Sequence, residues 1–328
     1  MKYKILFACL LFSIWSSAQD CSKEILQKKP GTWKPGSKGS VANVSAADLA
    51  KEKAVTTAIH KMVSSNYQPA GCQITYGTSF GKSVSAGEHW IADPYYYSMY
   101  ILRYLCDKKS KDPSKYYVDY STPTTVTITA NVIFCLNNLY ATNLATDNFR
   151  GYLKLKERPV LKDGYYFMGE EVVGDYGTAS EIKEYRWLIT YNDTLPFSYL
   201  TRKEYLLIQK KRLEKDIKDS PGEKTYLDKY LKNISEYLSK PESELNKAAV
   251  CMWNEEQRFE KFVEEGTRGS FIAVKPNLNY YHKKLSMSSP QFFTVAYKVS
   301  HGDPVFEENI ANIKKAVDFA TLKNMLGK

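Results

Sequence analysis

Residues 185–206 constrain the fold most, because their pattern changes there from that of a strand to that of a helix. Aromatic and β-branched side chains alternate with other residues along the first part, which is typical of a β-strand. The pair Asn192-Asp193 tolerates positive φ and therefore predicts a turn. A short strand over 194–199 should follow. It contains Pro196, which cannot donate a ladder hydrogen bond, so we expect it at a sheet edge.

A helical region is predicted directly after this strand. Thr201 and Glu204 have the spacing of a capping box, in which a hydroxyl and a carboxylate accept hydrogen bonds from the free N–H groups of a helix start. Helical periodicity then predicts three helices, over 202–218, 223–238 and 242–265. The first two are joined by a short turn, so we expect them to form an antiparallel hairpin.

This helical hairpin allows two interpretations. Residues 201–240 hold eleven basic and seven acidic groups, and Leu227 and Ile234 belong to a narrow apolar seam. In the first interpretation the seam packs against the neighbouring helices. In the second, the hairpin projects from the body and offers Tyr226 and Tyr237 to a partner.

The other segments read mainly as sheet. A central strand is predicted over 95–106, because this run is apolar on both alternating faces. Asp93-Pro94 resembles a helix start, so a helix over the same run is the alternative. The remaining predicted elements are a helix over 45–66 with Ser45 as its N-cap and an alanine-rich stripe that includes Ile59 and Met62, strands over 73–76, 116–120, 124–134, 152–161, 165–173, 271–275 and 291–299, and closing helices over 306–315 and 319–326.

These elements predict an α+β fold. One or two antiparallel sheets are packed by the N-terminal helix, and a helical hairpin plus a long helix is inserted before the C-terminal strands. We expect 116–120 to pair with 124–134. Asp163-Gly164 predicts a second hairpin, within a meander over 152–199.

The chain divides into five predicted segments. They are a signal peptide at 1–18, an extended basic arm at 19–44, a helix and sheet region at 45–200, a three-helix region at 201–265, and C-terminal strands with closing helices at 266–328.

The first segment predicts export. It has a positive start, an apolar run of signal length and small residues at 16–18 before a cleavage point. The run is too short for a permanent membrane helix, so we expect a periplasmic or extracellular protein without a transmembrane segment. Lys2 and Lys4 leave with the signal, which lowers the formal charge from +10 to +8. In an exported protein this charge indicates first a solvated basic surface, and then anionic envelope polymers or lipid head groups rather than nucleic acid as partners.

The cysteine count restricts the disulfides. Cys9 leaves with the signal, and an odd number remains in an oxidising compartment, so at least one thiol is unpaired or joins another chain. One or two bridges are compatible with the wide spacing, and the sequence does not define their partners. The remaining cysteines are Cys21, Cys72, Cys106, Cys135 and Cys251.

Motifs for metal or nucleophilic chemistry are weak in this sequence. The histidines His60, His89, His282 and His301 lack ligand spacing, so we predict no metal site and no cofactor. The sequence also contains no GxSxG elbow.

Paired carboxylates are the remaining enzymatic hypothesis, with Glu88, His89 and Glu170 as candidate catalytic residues. A glycosidase needs two carboxyl groups that face each other across a cleft. Neighbouring residues on a strand point to opposite faces, so Glu170 and Glu171 cannot be that pair. Glu88 with one of them is the expected pair.

The candidate binding residues are aromatic. The chain has 26 tyrosines, whose apolar rings and polar tips suit a wet binding surface but also fill sheets well. The candidates are Trp33, which should anchor the basic arm against the body, Trp90, Tyr226 and Tyr237.

Two functions follow as hypotheses. The first is an exported, non-enzymatic binding or structural protein of the cell envelope or medium, with an envelope polymer or a protein as its partner. The alternative is a secreted hydrolase acting on an envelope glycan or peptide. A deep pocket with converging carboxylates favours the hydrolase, whereas a shallow aromatic groove favours binding.

Overall fold

The computed structural model describes residues 21–36, 39–81, 91–121, 124–134, 141–142, 152–175, 181–253 and 258–328. The described helices are α1 (Lys23–Lys28), α2 (Ala46–Asn66), α3 (Arg202–Asp219), α4 (Lys224–Leu238), α5 (Glu242–Leu245), α6 (Pro304–Ala316) and α7 (Phe319–Met325).

The described strands alternate with these helices, which confirms the predicted α+β class. They are β1 (Thr32–Pro35), β2 (Val41–Ala42), β3 (Cys72–Gly81), β4 (Tyr95–Cys106), β5 (Tyr116–Val118), β6 (Thr125–Ala130), β7 (Ile133–Phe134), β8 (Ala141–Thr142), β9 (Leu153–Leu155), β10 (Val160–Lys162), β11 (Tyr165–Asp175), β12 (Glu181–Ile189), β13 (Phe197–Tyr199), β14 (Val250–Met252), β15 (Ser270–Pro276) and β16 (Phe293–Ser300).

The largest sheet, called the main sheet, has ten strands. Its strands follow the order β1-β3-β4-β6-β16-β12-β11-β10, and the short β2 and β5 pair with β3 and β4. β1 and β2 run parallel to β3, whereas β4, β6, β16, β12 and β11 pair antiparallel with their neighbours. Since β16 lies between β6 and β12, the C-terminal part of the chain completes the middle of this sheet.

Helices α2, α6 and α7 cover one face of the main sheet and form the largest core with it. Ile59 of α2 and Ile310 of α6 pack with alternate residues of β4, β6 and β16. On β4, Tyr97, Met99 and Ile101 are fully buried in this core. The predicted central strand over 95–106 is therefore confirmed, and the helical alternative is wrong.

Helix α2 has the predicted bounds, but only part of the predicted stripe is buried. The side chain of Ser45 caps its first turn, as expected. Ile59 and Val63 are buried, whereas Ala50 and Ala54 are exposed. Three of the four alanines of the stripe face solvent, because the larger aliphatic side chains bury more apolar area against the sheet.

A second sheet consists of β9, β13, β14 and β15, and it supports the helical hairpin of α3 and α4. Leu213 of α3 and Leu227 and Ile234 of α4 pack with Phe271 and Ala273 of β15 in one apolar cluster. The capping box of α3 is present as predicted. The apolar seam therefore belongs to the core, in agreement with the first interpretation of the hairpin.

The predicted helix over 242–265 is wrong. α5 ends at Leu245, and β14 then pairs with β15. Ala249 and Phe259, which suggested helical spacing, are fully buried in the same cluster as the hairpin seam. The two side chains reach this core from a strand region and from an irregular segment. Their spacing in the sequence is therefore not evidence of a helix.

Two of the three predicted strand pairings need correction. Asp163 and Gly164 have positive φ, and β10 pairs with β11 as predicted. The hairpin of 116–120 with 124–134 is wrong, because β5 and β6 both pair with β4, one beyond the other. β13 lies at an edge, as Pro196 predicts, but in the second sheet with β15 rather than beside β12. The meander is thus reduced to β10, β11 and β12.

The described part of the basic arm is not simply extended. Ser22 caps α1, and β1 and β2 obtain hydrogen-bond partners from the edge of β3. Trp33 of β1 is half-buried and packs beside His60 and Tyr67, with ring centroids 5.5 and 6.2 Å apart. The predicted anchoring role of Trp33 is therefore confirmed.

One disulfide joins Cys21 to Cys106, which are 85 residues apart, and fastens the start of α1 to the end of β4. Cys72 and Cys251 are buried and not part of any disulfide among the described residues, which confirms the prediction of at least one cysteine outside a bridge. Burial raises the pKa of Cys72 to about 12, so its reactive thiolate is scarce at neutral pH. Cys135 lies outside the described residues.

Replacing Ile234 with Ala should test whether the helical hairpin is part of the core. Ile234 is fully buried, so we expect a loss of about 2–5 kcal/mol from lost burial and the remaining cavity. Urea unfolding measures this. Leu207→Ala is the matched control, because Leu207 is 50% exposed and its loss should change stability by less than about 0.5 kcal/mol. Equal effects of the two substitutions would contradict the packing described.

Replacing both Cys21 and Cys106 with Ser should lower the free energy of unfolding by about 2–4 kcal/mol, because the bond closes a long loop in the unfolded chain. Urea unfolding with and without dithiothreitol checks the assignment. The reductant should destabilise the wild type by a similar amount and leave the double variant unchanged. A double variant that responds to the reductant as the wild type does would show that this bridge is not the stabilising one.

Candidate functional site

The face of the main sheet that turns away from α2 and α6 carries the candidate site, and we call it the polar face. Alternate residues of a strand share a face, so cross-strand pairs define rows over six neighbouring strands. From β3 to β11 the first row is Thr75, Tyr100, Thr125, Lys298, Glu184 and Glu171. The second is Gly77, Ser98, Thr127, Ala296, Arg186 and Gly169, and the third is Ser79, Tyr96, Thr129, Thr294, Leu188 and Tyr166.

Two tyrosines stand out from this face at its β4 strand. Tyr96 and Tyr100 are 42% and 46% exposed, although their strand lies inside the sheet. They are four residues apart on an extended strand, hence about 13 Å apart along it. The row between them consists here of Gly77, Ser98 and Thr127, which are small. Two aromatic rings therefore flank a shallow, small-residue trough.

The second sheet covers the other end of the polar face. Leu188 of β12 packs in one cluster with Leu155 of β9 and Ile272 of β15. Arg186, two residues before Leu188 on the same face, is consequently only 6% exposed. The trough thus runs from exposed tyrosines on β4 toward a buried arginine on β12.

Arg186 is held between two carboxylates. Its Nε donates to Oε1 of Glu184 over 2.7 Å, and its Nη1 lies 3.7 Å from Oε2 of Glu171. Glu171 and Glu184 are directly opposed on β11 and β12, so their charges would repel without the arginine. Nη1 is buried and donates no hydrogen bond to any described group. The guanidinium therefore has one donor atom unsatisfied at the closed end of the trough.

Burial raises the pKa of Glu171, while Lys156 and Arg186 oppose the rise and Glu184 adds to it. A carboxyl with a raised pKa beside a second carboxylate is the kind of pair that glycosidases use. Both side chains are enclosed, however, at 16% and 17% exposure, and Arg186 contacts each of them. The geometry therefore fits an ion-pair network better than a catalytic pair of carboxyl groups.

Of the predicted catalytic residues, only Glu170 lies in the described part of the chain. Glu170 is exposed and lies opposite Tyr185, on the face away from Glu171, as the alternation predicts. Near it, Tyr185, His301 and Glu307 form a chain of contacts, with His301 3.2 Å from each of the other two. Glu88 and His89 lie outside the described residues.

The predicted binding residues occupy three different places. Trp33 packs into the core beside β3, and Trp90 lies outside the described residues. Tyr226 is 41% exposed on α4, but its ring already carries Arg258 at 4.2 Å and Lys229 at 4.7 Å. Tyr237 packs against Phe259 and Phe262 within the cluster of the helical hairpin. The structure therefore does not bring the three described residues together.

Among the described residues, no three His, Cys, Asp or Glu side chains lie where they could hold a metal ion. None of the helices in the described ranges combines the length and apolar character needed to cross a membrane. Comparison with protein-family models, with curated proteins and with solved structures finds no match to this chain.

Sequence reasoning missed Tyr96, Tyr100 and Arg186. A signal was present, because Tyr96, Ser98 and Tyr100 alternate with Tyr97 and Met99 along β4. The serine marks the less apolar of the two faces. Counting tyrosine as apolar made both faces look buried and concealed this difference.

Glu171→Gln tests the electrostatics of the Arg186 network. Burial raises the pKa of Glu171 above its usual value of about 4.3, so its ionisation is less favourable in the folded than in the unfolded chain. The wild type therefore loses stability as the pH rises from about 4 through the folded pKa, and the variant lacks this loss. We expect the Tm difference, variant minus wild type, to increase between pH 4 and pH 7.

Thermal melts followed by circular dichroism at several pH values measure this difference. Glu170→Gln is the matched control, because it removes a neighbouring, exposed carboxylate from the opposite face. A Tm difference for Glu171→Gln that stays constant with pH would contradict the raised pKa.

Proposed function

We propose that the chain is an exported, non-enzymatic protein that binds a neutral polysaccharide of the cell envelope or medium at the polar face. The observation that carries this proposal is the exposure of Tyr96 and Tyr100 on a strand inside the sheet. A central strand normally buries its aromatic rings, so two exposed rings on one face favour a surface used for contact.

The chemistry of the exposed end suits a sugar chain. Tyrosine offers an apolar ring to the CH face of a sugar and a hydroxyl to its polar edge. The residues of β3, β4 and β6 in the three rows carry no charge. Ser79, Ser98 and Thr129 are buried, whereas Thr75, Thr125 and Thr127 are half-buried beside the exposed tyrosines. An uncharged surface with tyrosine and threonine hydroxyls favours a neutral, hydroxylated ligand over an ionic one.

The length of the trough favours a polymer. Tyr96 and Tyr100 are about 13 Å apart along the strand, which exceeds the width of one sugar ring. A ligand that contacts both rings therefore spans more than one sugar unit. The signal-like residues 1–18 supply the export that such a partner requires.

A hydrolase is the second candidate function, and the opposed carboxylates of Glu171 and Glu184 favour it. These residues lie on the same face as the tyrosines, with Glu184 three strands and Glu171 four strands away from β4. Release of reducing ends from a bound polysaccharide, abolished by Glu171→Gln, would support the hydrolase. Binding without release would support the binding protein.

Replacing Tyr96 and Tyr100 together with Ala should weaken binding to neutral polysaccharides at least tenfold, because both stacking surfaces are removed. Affinity electrophoresis of the mature protein in gels containing a soluble glucan, mannan or xylan measures it. The matched control is Tyr120→Ala with Tyr226→Ala, since these tyrosines are 70% and 41% exposed elsewhere.

Thermal melts should show that both double variants stay folded. Equal loss of binding in the two double variants, or retardation of the wild type by none of these polysaccharides, would overturn the proposal. Retardation only by acidic polysaccharides would also overturn the neutral ligand proposed.

A further inference from the structure

A groove of about 980 Å³ opens beside the Cys21–Cys106 bridge, and we call it the disulfide groove. Its walls come from α1, the end of β4, the loop after β4, β5 and the start of α6. The volume lies at the upper end of the range typical of small-molecule sites. The polysaccharide proposal makes no use of this groove.

Part of the groove lining is apolar. Leu26 of α1, Leu105 of β4 and Val305 of α6 line it from three different elements. Tyr117 of β5 lines it as well and is 50% exposed. Apolar surface from three elements inside one concave space favours a ligand with an apolar body.

The charges at the rim are uneven. Two carboxylates line the groove and both have cationic partners: Asp303 lies 2.6 Å from Arg103, and Asp107 lies 3.6 Å from Lys115. Lys23, Lys108 and Lys109 also line it, are exposed, and form no ion pair with any carboxylate in the described ranges. An excess of positive charge therefore remains at the rim.

We infer that the disulfide groove binds a long-chain carboxylic acid. The acyl chain lies on Leu26, Leu105 and Val305, and the carboxylate lies among Lys23, Lys108 and Lys109. An apolar wall with a cationic rim complements a molecule that has one apolar and one anionic part. A neutral sugar would leave the lysines without a counter-charge, and a small anion would leave Leu105 and Tyr117, the more exposed apolar side chains of the groove, in water.

The disulfide gives this groove a fixed wall. Cys21 immediately precedes the N-cap residue of α1, and Cys106 is the last residue of β4. The bond therefore fixes Lys23 and Leu26 of α1 relative to Leu105, so the cationic and apolar parts of the site keep their separation. A fixed wall lowers the ordering cost of binding.

A fluorescence titration with cis-parinaric acid, a long-chain carboxylate, tests the inference on the mature protein. We expect saturable binding at micromolar concentration, and at least fivefold weaker binding of its methyl ester, which lacks the charge. Acetate, which lacks the chain, should not compete. Lys108→Glu with Lys109→Glu should weaken binding of the acid at least fivefold and that of the ester less.

The matched control is Lys53→Glu with Lys61→Glu, which changes the net charge equally at exposed positions of α2. Its affinity for the acid should equal that of the wild type. Equal binding of acid and ester, equal loss in both double variants, or competition by polyglutamate as strong as by oleate would overturn the inference. If the Lys108→Glu, Lys109→Glu variant is poorly folded, the comparison of acid with ester on the wild-type protein still tests the inference.

Discussion

The difference between the two faces of the main sheet determines most of this structure. Along β4, Tyr97, Met99 and Ile101 face the helices and are fully buried, whereas Tyr96 and Tyr100 face the other way. Burial of the apolar face against α2, α6 and α7 supplies the largest core. Because a one-residue slip would exchange the two faces, the same burial fixes the register. It thereby holds both tyrosines on the face opposite α2, α6 and α7.

The second sheet determines how much of the polar face remains open. It packs over Leu188, and this contact encloses Arg186 with its two carboxylates. A buried arginine without these partners would be costly, so the network supports the join between the sheets rather than adding large net stability. The helical hairpin packs on the opposite face of the second sheet, against Phe271 and Ala273 of its central strand β15. The main role of the hairpin is therefore to complete the apolar cluster on the second sheet.

Local features of the fold were predictable from the sequence, and pairings between distant segments were not. The caps at Ser45 and Thr201 and the Asp163-Gly164 turn depend on neighbouring residues, and all three are present. β13 was expected beside β12, but it pairs with β15, which lies far along the chain. The residues of a turn limit where a strand begins. The strand with which it pairs depends on the burial of apolar side chains in both sheets.

The candidate site was the least predictable part for the same reason. Arg186 and Glu171 come together only because β11 and β12 pair in one particular register. Phe259 fitted the spacing of a predicted helix, but buried residues of a non-helical segment can have the same spacing. For Tyr96 and Tyr100, the alternation with buried residues was visible, but their exposure depends on which face the helices cover.

The central claim is that the polar face of the main sheet is a contact surface for sugar. The most direct measurement is an NMR spectrum of protein labelled with ¹³C-tyrosine, recorded during titration with a soluble neutral oligosaccharide. Tyr96 and Tyr100 should shift first and most, while Tyr226 on the helical hairpin and Tyr117 in the disulfide groove stay unchanged. Shifts at Tyr226 or Tyr117 with none at Tyr96 and Tyr100 would contradict the account.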